Sequence, residues 1–219
     1  MKLYTCCSKT HKEYLSQFFL PSLKRIGGFE VEVARMPQLC SSGVYRAKDW
    51  RKVGQWKSLW FRHLARTNSE PYVVADCDIQ FLRPCRERLL ELLGDNDLCF
   101  QYDGVGETIC SGFYISSGGA GARRLFEYPF EIDFFNKYVD DKHCDQSAVN
   151  HSKHVANWEF LPSAEFWTVG NGRTTSWTPG ENLEVPPNIR VHHANWCSGK
   201  TNKFTLLKLV KRKFEEQHE

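Results

Sequence analysis

Tyr72-Val73-Val74-Ala75-Asp76-Cys77-Asp78-Ile79-Gln80-Phe81 is the stretch on which the reading of this chain turns. It opens behind Pro71 as a short apolar run rich in β-branched residues, the pattern of a buried strand. It then presents two carboxylates one residue apart. Strand side chains alternate faces with period 2, so the spacing predicts Asp76 and Asp78 on one face and Cys77 in the packing. Two like charges so placed repel unless a cation lies between them. Hard oxygen ligands suit Mg²⁺ or Mn²⁺, and such ions bridge phosphate oxygens of a nucleotide or nucleotide sugar. The alternative is an Asp pair that caps the following helix or forms salt bridges with Arg83 or Arg86.

On the N-terminal side of this stretch, Leu3 to Cys7 reads as a first strand. Ser8 or Thr10 then caps a helix whose apolar positions are Tyr14, Phe18, Phe19 and Leu23 and which ends at Gly27-Gly28. Phe29 to Val33 alternates as a second strand. Strand, helix, strand is the usual opening of a parallel sheet with a nucleotide at the carboxyl ends of its strands, where Thr5, Cys6, Cys7 and Ser8 can meet a base or ribose. No Gly-x-Gly-x-x-Gly accompanies it, which weakens a dinucleotide reading. Pro37 to Ala47 is a loop. Asp49 to Arg66 has helical spacing through Trp50, Val53, Trp56, Leu59, Trp60 and Leu64, with the tryptophans expected in the core. Lys57 on this helix either reaches a phosphate or stays in solvent.

On the C-terminal side, Cys85 to Leu93 is a helix closed by Gly94, and Leu98 to Gln101 is a strand. Ile109 to Ile115 is a strand broken by Gly112, and a glycine there marks close approach of another group. Gly118, Gly119 and Gly121 form either a plain turn or a phosphate cradle before a helix over Ala122 to Phe126. Asp140 to Asn150 combines a turn with a helix start, with Asp145 as a candidate cap. Trp158 to Leu161 is a short strand. Val169 to Pro187, rich in Gly, Thr and Pro, predicts a mobile loop over the site that places Trp177 on the acceptor side. Ile189 to His193 is a strand ending in two histidines, followed by a turn to Lys200. The last helix, Asn202 to Gln217, carries Phe204, Leu207, Val210 and Phe214 on one face and Lys208, Lys211, Arg212 and Lys213 largely on another.

Composition bounds the class. With 219 residues and 41% hydrophobic content, no internal repeat and no linker, residues 1–219 are expected to form one domain. A net charge of +3, from 29 basic and 26 acidic residues, excludes nucleic acid binding by bulk electrostatics. The nine cysteines include no Cys-x-x-Cys pair, so neither a zinc site nor a secreted disulfide framework is indicated, and reduced thiols in the cytoplasm are expected. The N-terminus begins directly in a strand pattern without a signal segment, and no run of about 18 apolar residues predicts a transmembrane segment.

The Asp pair gains specificity from His193 at the end of a second strand, with Gly199, Lys200 and Lys203 just beyond. Imidazole is a fair ligand for Mn²⁺, backbone amides near Gly199 can donate to phosphate, and a lysine neutralises its charge. Lys57, Val73-Val74-Ala75-Asp76-Cys77-Asp78, Cys110-Ser111-Gly112-Phe113, Asp145-Gln146 and His193-Ala194-Asn195-Trp196-Cys197-Ser198-Gly199 together resemble the motifs of GT-A glycosyltransferases. The likeness is to the small nucleotide-diphospho-sugar transferases that retain anomeric configuration, and it extends over essentially the whole chain. It implies an α/β fold with a Rossmann-like mixed central sheet flanked by helices, and Mn²⁺, or Mg²⁺, held by Asp76, Asp78 and His193. It also implies a UDP-sugar donor and a glycan or glycoprotein acceptor, with Asp145 and Gln146 beside the donor sugar as catalytic residues. Cys110 stands where the family often has Asn, which removes a hydrogen bond that Asn makes. The compact, cysteine-rich form is similar to glycosyltransferase domains encoded by chloroviruses, which implies capsid glycans made in the host cytoplasm.

The expected chemistry follows from charge. Cleavage of the sugar leaves a diphosphate of growing negative charge, which the metal, Lys200 or Lys203 and the amides near Gly199 stabilise. Inversion needs a carboxylate base on the acceptor hydroxyl, whereas retention proceeds through a nucleophile on the opposite face or by front-side attack within an ion pair. Two other readings compete. A haloacid dehalogenase-type phosphatase also places Asp-x-Asp after an apolar strand, but Gln80 stands where its motif has Thr or Val. A non-catalytic module that binds a nucleotide sugar or glycan is the third.

Overall fold

The computed structural model describes residues 1–44, 47–140 and 144–218. The parts of the expected Pro37–Ala47 loop at 45–46 and of the Asp140–Asn150 turn at 141–143 lie outside the described residues. Strand β1 (Lys2–Cys7) leads through a 3-10 turn (Lys9–His11), α1 (Lys12–Tyr14), a π-type stretch (Leu15–Phe19) and α2 (Leu20–Ile26) to β2 (Glu30–Arg35). Helix α3 (Trp50–Thr67) precedes β3 (Tyr72–Ala75) and β4 (Ile79–Phe81). Then come α4 (Arg86–Leu93), β5 (Leu98–Tyr102), β6 (Ile109–Ser116), α5 (Ala120–Glu131), α6 (Phe134–Lys137) and α7 (Asp145–Ser152). Strands β7 (Trp158–Phe160), β8 (Phe166–Thr168) and β9 (Val191–His193) and helix α8 (Lys200–Glu216) complete the order.

Six strands form a central sheet in the order β2-β1-β3-β6-β5-β7, and β4-β9-β8 form a second, smaller sheet. β1 runs parallel to β2 and β3, β6 lies antiparallel between β3 and β5, and β7 is parallel to β5. The mixed sheet is buried on both faces by period-2 alternation. Leu3, Val73 and Ile115 point to one side with Phe19, Phe81 and Phe113. Tyr4, Val74 and Tyr114 point to the other, against Phe61 and Leu64 of α3 and Phe126 of α5. Each large side chain so buried contributes about 1.5–3 kcal/mol of transfer free energy, which is why this run reads as strand despite the charges that follow it. β2, at the edge, carries Glu30, Glu32 and Arg35, and charge blunts an open edge.

Three expectations change. The central stretch is two strands: β3 belongs to the large sheet and β4 to the small one, so Asp76, Cys77 and Asp78 form the corner between them. The carboxylates converge through that turn and not through strand alternation. On α3 the buried face is Val53, Lys57, Phe61 and Leu64; Trp56 and Trp60 stack on each other at 6.0 Å on its flank, and Leu59 is exposed. Trp60 still packs, partly buried, against the second core, and the periodicity alone does not separate the two stripes. The segment after β8 packs Trp177, Leu183 and Val185 into a third core with Leu206, Leu207 and Val210 of α8. Trp177 pairs with Cys197 through a β-bridge and is 1% exposed, so it is not an acceptor-side residue.

Candidate active site

Asp76 and Asp78 leave the corner toward one end of β9, because β4 and β9 are antiparallel with Ile79 opposite His193. Ligand atoms of Asp76, Asp78 and His193 all lie within 4.8 Å of one another. The approach depends on Gly112: a Cβ there would stand 2.5 Å from His193 Cε1 and 2.7 Å from Asp76 Oδ2. β6 runs through Gly112, but its pairing with β5 slips there, from Phe100 opposite Tyr114 to Gln101 opposite Cys110, so the glycine makes room and marks an irregularity in the strand. His192 and His193 point oppositely, as alternation requires. His192 is buried beside Gln80 and Trp167, and burial, together with His193, pulls its pKa down to about 3, so it is neutral.

His193 is oriented by a residue not singled out from sequence. Gln101 at the inner edge of β5 donates its amide to the Phe166 and Trp167 carbonyls at 3.3 Å each. Its Oε1 must then accept, and it lies 2.9 Å from His193 Nδ1. That contact puts the ring proton on Nδ1 and leaves the Nε2 lone pair facing Asp78 Oδ1 at 3.4 Å. Two carboxylates and one imidazole with a free lone pair fit a hard or borderline divalent cation and do not suit a soft one. Cys110, 3.6 Å from His193 Nδ1, adds no thiolate, since burial pushes its thiol well above the ordinary range.

Charge around the carboxylates is arranged in two groups. Lys203 of α8 pairs with Asp78 Oδ2. Burial by itself would raise Asp78, but the Lys203 ammonium holds it well below the ordinary carboxylate range. Lys57 of α3 reaches Asp76 Oδ1 at 2.9 Å and Asp145 Oδ2 at 3.0 Å. Burial opposes its charge, yet Asp145 and Asp76 raise its pKa well above that of a free lysine. Asp145, the first residue of α7, also accepts from Ser111 Oγ at 2.7 Å, while Cys144 occupies the cap position. Gly54 allows this: a Cβ on it would meet Cys144 Cα at 2.7 Å and Asp145 N at 2.8 Å, so α3 and α7 touch through their backbones. Arg83 and Arg86, the alternative partners, instead reach the Pro187 carbonyl and Glu87.

These groups lie in a cleft of about 1000 Å³ that also includes Cys6, Ser8, His11, Tyr14, Asp103 and Gln146 in its walls. Ser198, Gly199 and Lys200 bring the N-terminus of α8 to its rim. Lys200 pairs with Glu13 at 2.9 Å, and Tyr14 Oη donates to the Lys200 carbonyl at 3.0 Å. Of the residues at the end of β1, Cys6 lines the cleft, while the Thr5 and Cys7 side chains do not. Alternation along the strand buries them beside it. Gly118 packs on the Ser69–Glu70 backbone away from the cleft, so the glycine turn is not a phosphate cradle. Asp103 was not foreseen, and Asn195 was named only as part of the His193–Gly199 motif. Burial pushes Asp103 up to about 6, and only its place just after β5 puts it here.

No family model and no curated protein matches the chain in sequence. Solved structures do share its frame. A galactosyltransferase, LgtC, in complex with donor and acceptor sugar analogues, superposes with a TM-score of 0.58 at 11% identity over 88% of this chain and 86% of that one. Mouse xyloside xylosyltransferase 1 in its apo form gives 0.54 at 11% identity over 89% and 98%. The glycosyltransferase GlyE of Streptococcus pneumoniae TIGR4 gives 0.51 at 14% identity over 74% and 45%. The mixed sheet flanked by helices is therefore the GT-A fold, as the sequence motifs imply. No helix among the described residues is long and apolar enough to cross a membrane.

Proposed function

We propose that the chain is a metal-dependent glycosyltransferase that moves a sugar from a UDP-sugar to a glycan or glycoprotein acceptor with retention. One observation carries the reading: Asp76, Asp78 and His193 converge on the floor of a cleft in a GT-A frame, with Lys57 and Lys203 beside them. The three ligands would hold Mn²⁺ or Mg²⁺, which supplies Lewis-acid stabilisation of a departing diphosphate. Lys203 and Lys200, from the first turn of α8, neutralise phosphate charge at the same wall. Cys6, Ser8 and His11 also line the cleft, where the nucleoside fits.

Retention follows the resemblance to transferases that retain configuration, and two of the carboxylates in the cleft are already engaged, Asp145 by Lys57 and Ser111 and Asp103 by Gln146 and Asn195. The narrowest form of the proposal places the acceptor on a viral capsid glycoprotein made in the host cytoplasm. The phosphatase reading fails on the frame, since its nucleophile follows the first strand whereas Asp76 follows β3 and is paired with Lys57. The test is calorimetric binding of UDP, GDP and CMP with and without Mn²⁺. UDP is expected to bind alone, to require metal and to be lost in Asp78→Ala; equal or absent binding of all three nucleotides overturns the proposal. The anomeric coupling of the product by proton NMR then decides retention, and distinguishes a transferase from a module that only binds.

A further inference from the structure

We propose that Asp103 is a positioning residue that holds Gln146 with its amide nitrogen turned to the protein and its carbonyl oxygen turned into the cleft. The proposal rests on the transferase reading for its consequence, and on geometry alone for its content. Gln146, the second residue of α7, donates Nε2 to Asp103 Oδ2 at 2.8 Å. Asn195, in the turn after β9, donates Nδ2 to Asp103 Oδ1 at 3.2 Å, and its own Oδ1 accepts from Thr168 Oγ1. One carboxylate therefore gathers donors from α7 and from the β9–α8 turn, two walls of the same cleft.

An ionised carboxylate only accepts, so an amide that faces it must present nitrogen. Gln146 has no other side-chain hydrogen bond among the described residues, so nothing else selects between its two flips. With nitrogen committed to Asp103, the outward atom is the carbonyl oxygen, the negative end of the amide dipole. A sugar that loses its diphosphate gains positive charge, and a fixed negative dipole end stabilises that charge without reorganisation. The reverse flip would place two N–H groups against it.

The protonation of Asp103 tests the same contact. Desolvation raises its pKa to about 6, while the hydrogen bonds from Gln146 and Asn195 oppose that rise. The groups that face it are Gln146 from α7, Asn195 and Trp196 from the turn, His193 from β9 and Cys110 from β6. Once protonated, Asp103 can donate to the Gln146 carbonyl and permit the flip.

The experiment uses the full chain with Mn²⁺ and measures hydrolysis of UDP-glucose, UDP-galactose and UDP-xylose by the wild type, Asp103→Asn, Gln146→Ala and the double variant. For the donor turned over fastest, Asp103→Asn is expected to lower kcat about tenfold with KM changed less than about twofold. In the Gln146→Ala background the same substitution is expected to cost less than about twofold, because the residues act as a unit. Fully multiplicative losses, or an effect on KM alone, overturn the proposal. In parallel, in the metal-free protein, the side-chain amide signal of Gln146 in the wild type is expected to shift as Asp103 is titrated and to lose that shift in Asp103→Asn. An amide signal blind to both overturns it even where turnover is intact. If no donor is hydrolysed, the transferase reading fails by itself, and the amide signal still decides whether Asp103 orients Gln146.

Discussion

The two ion groups that meet at Asp76 and Asp78 are built oppositely. Around Asp78 one carboxylate faces two nitrogen groups, Lys203 and His193. Around Lys57 one ammonium faces two carboxylates, Asp76 and Asp145. The first group is lent by α8, and its lysine side chain is 24% exposed; the second is built on α3, and its lysine is 10% exposed. The difference separates two jobs. Lys57 is locked by packing and keeps two carboxylates together whether or not ligand is bound. Under the proposed function Lys203, with solvent beside it, would exchange Asp78 for a phosphate once a cation took over the carboxylate.

The largest expected effect comes from removing the locked cation. Lys57→Met leaves Asp76 and Asp145 facing each other without compensation, and loss of one partner of a buried ion group costs about 3–5 kcal/mol. Urea unfolding should show that loss without divalent cation, with Mn²⁺ restoring more stability to the variant than to the wild type. A loss below about 1 kcal/mol would mean that Lys57 is dispensable to the fold and would erase the contrast. Lys203→Ala should be milder and of a different kind. Removing the competitor for Asp78 is expected to tighten Mn²⁺ binding in the absence of nucleotide while weakening UDP about tenfold in its presence. Calorimetry that showed both affinities falling together would make Lys203 a structural partner like Lys57.

The smallest effect sharpens the comparison at a carboxylate that belongs to neither group. Asp103 has its folded pKa raised from 3.8 to about 6, so its contribution to stability is fully present below about pH 4 and is lost as pH rises through 6. Asp78, held well below 3.8, acts with the opposite sign: its contribution is present at neutral pH and lost on acidification. Thermal melts of Asp103→Asn should therefore lose the part of the decline that the wild type shows between about pH 4 and 6. A variant that keeps the full slope would assign that decline to other groups.

How much of this was legible beforehand follows from the range of each signal. The apolar run Tyr72–Ala75 and the two carboxylates after it are a local pattern, and so is a strand that ends at His193; side-chain chemistry alone named the ligands. Lys57 was visible as a helix lysine of undecided role, and its double pairing was not, because Asp76 and Asp145 are far apart in sequence. Gln101 and Asp103 gave no signal at all, and Asn195 only as part of a motif, since ordinary polar residues at strand ends look alike until a partner is known. Trp177 misled because a stretch rich in Gly, Thr and Pro resembles a surface loop, whereas its indole closes the core under α8.

The sequence by itself determined the α/β character, the donor set and the alternation that sends His193 inward and His192 away, because these depend on residue type and on a period of two. Only the tertiary structure decided that Asp76 and Asp78 share a corner between two sheets, that Gln101 fixes the tautomer of His193, and that Asp103 joins α7 to the β9–α8 turn. Those arrangements come from crossover connections and cross-strand register, which bring residues about 90 positions apart into contact. Local periodicity carries no information about which strand ends will meet.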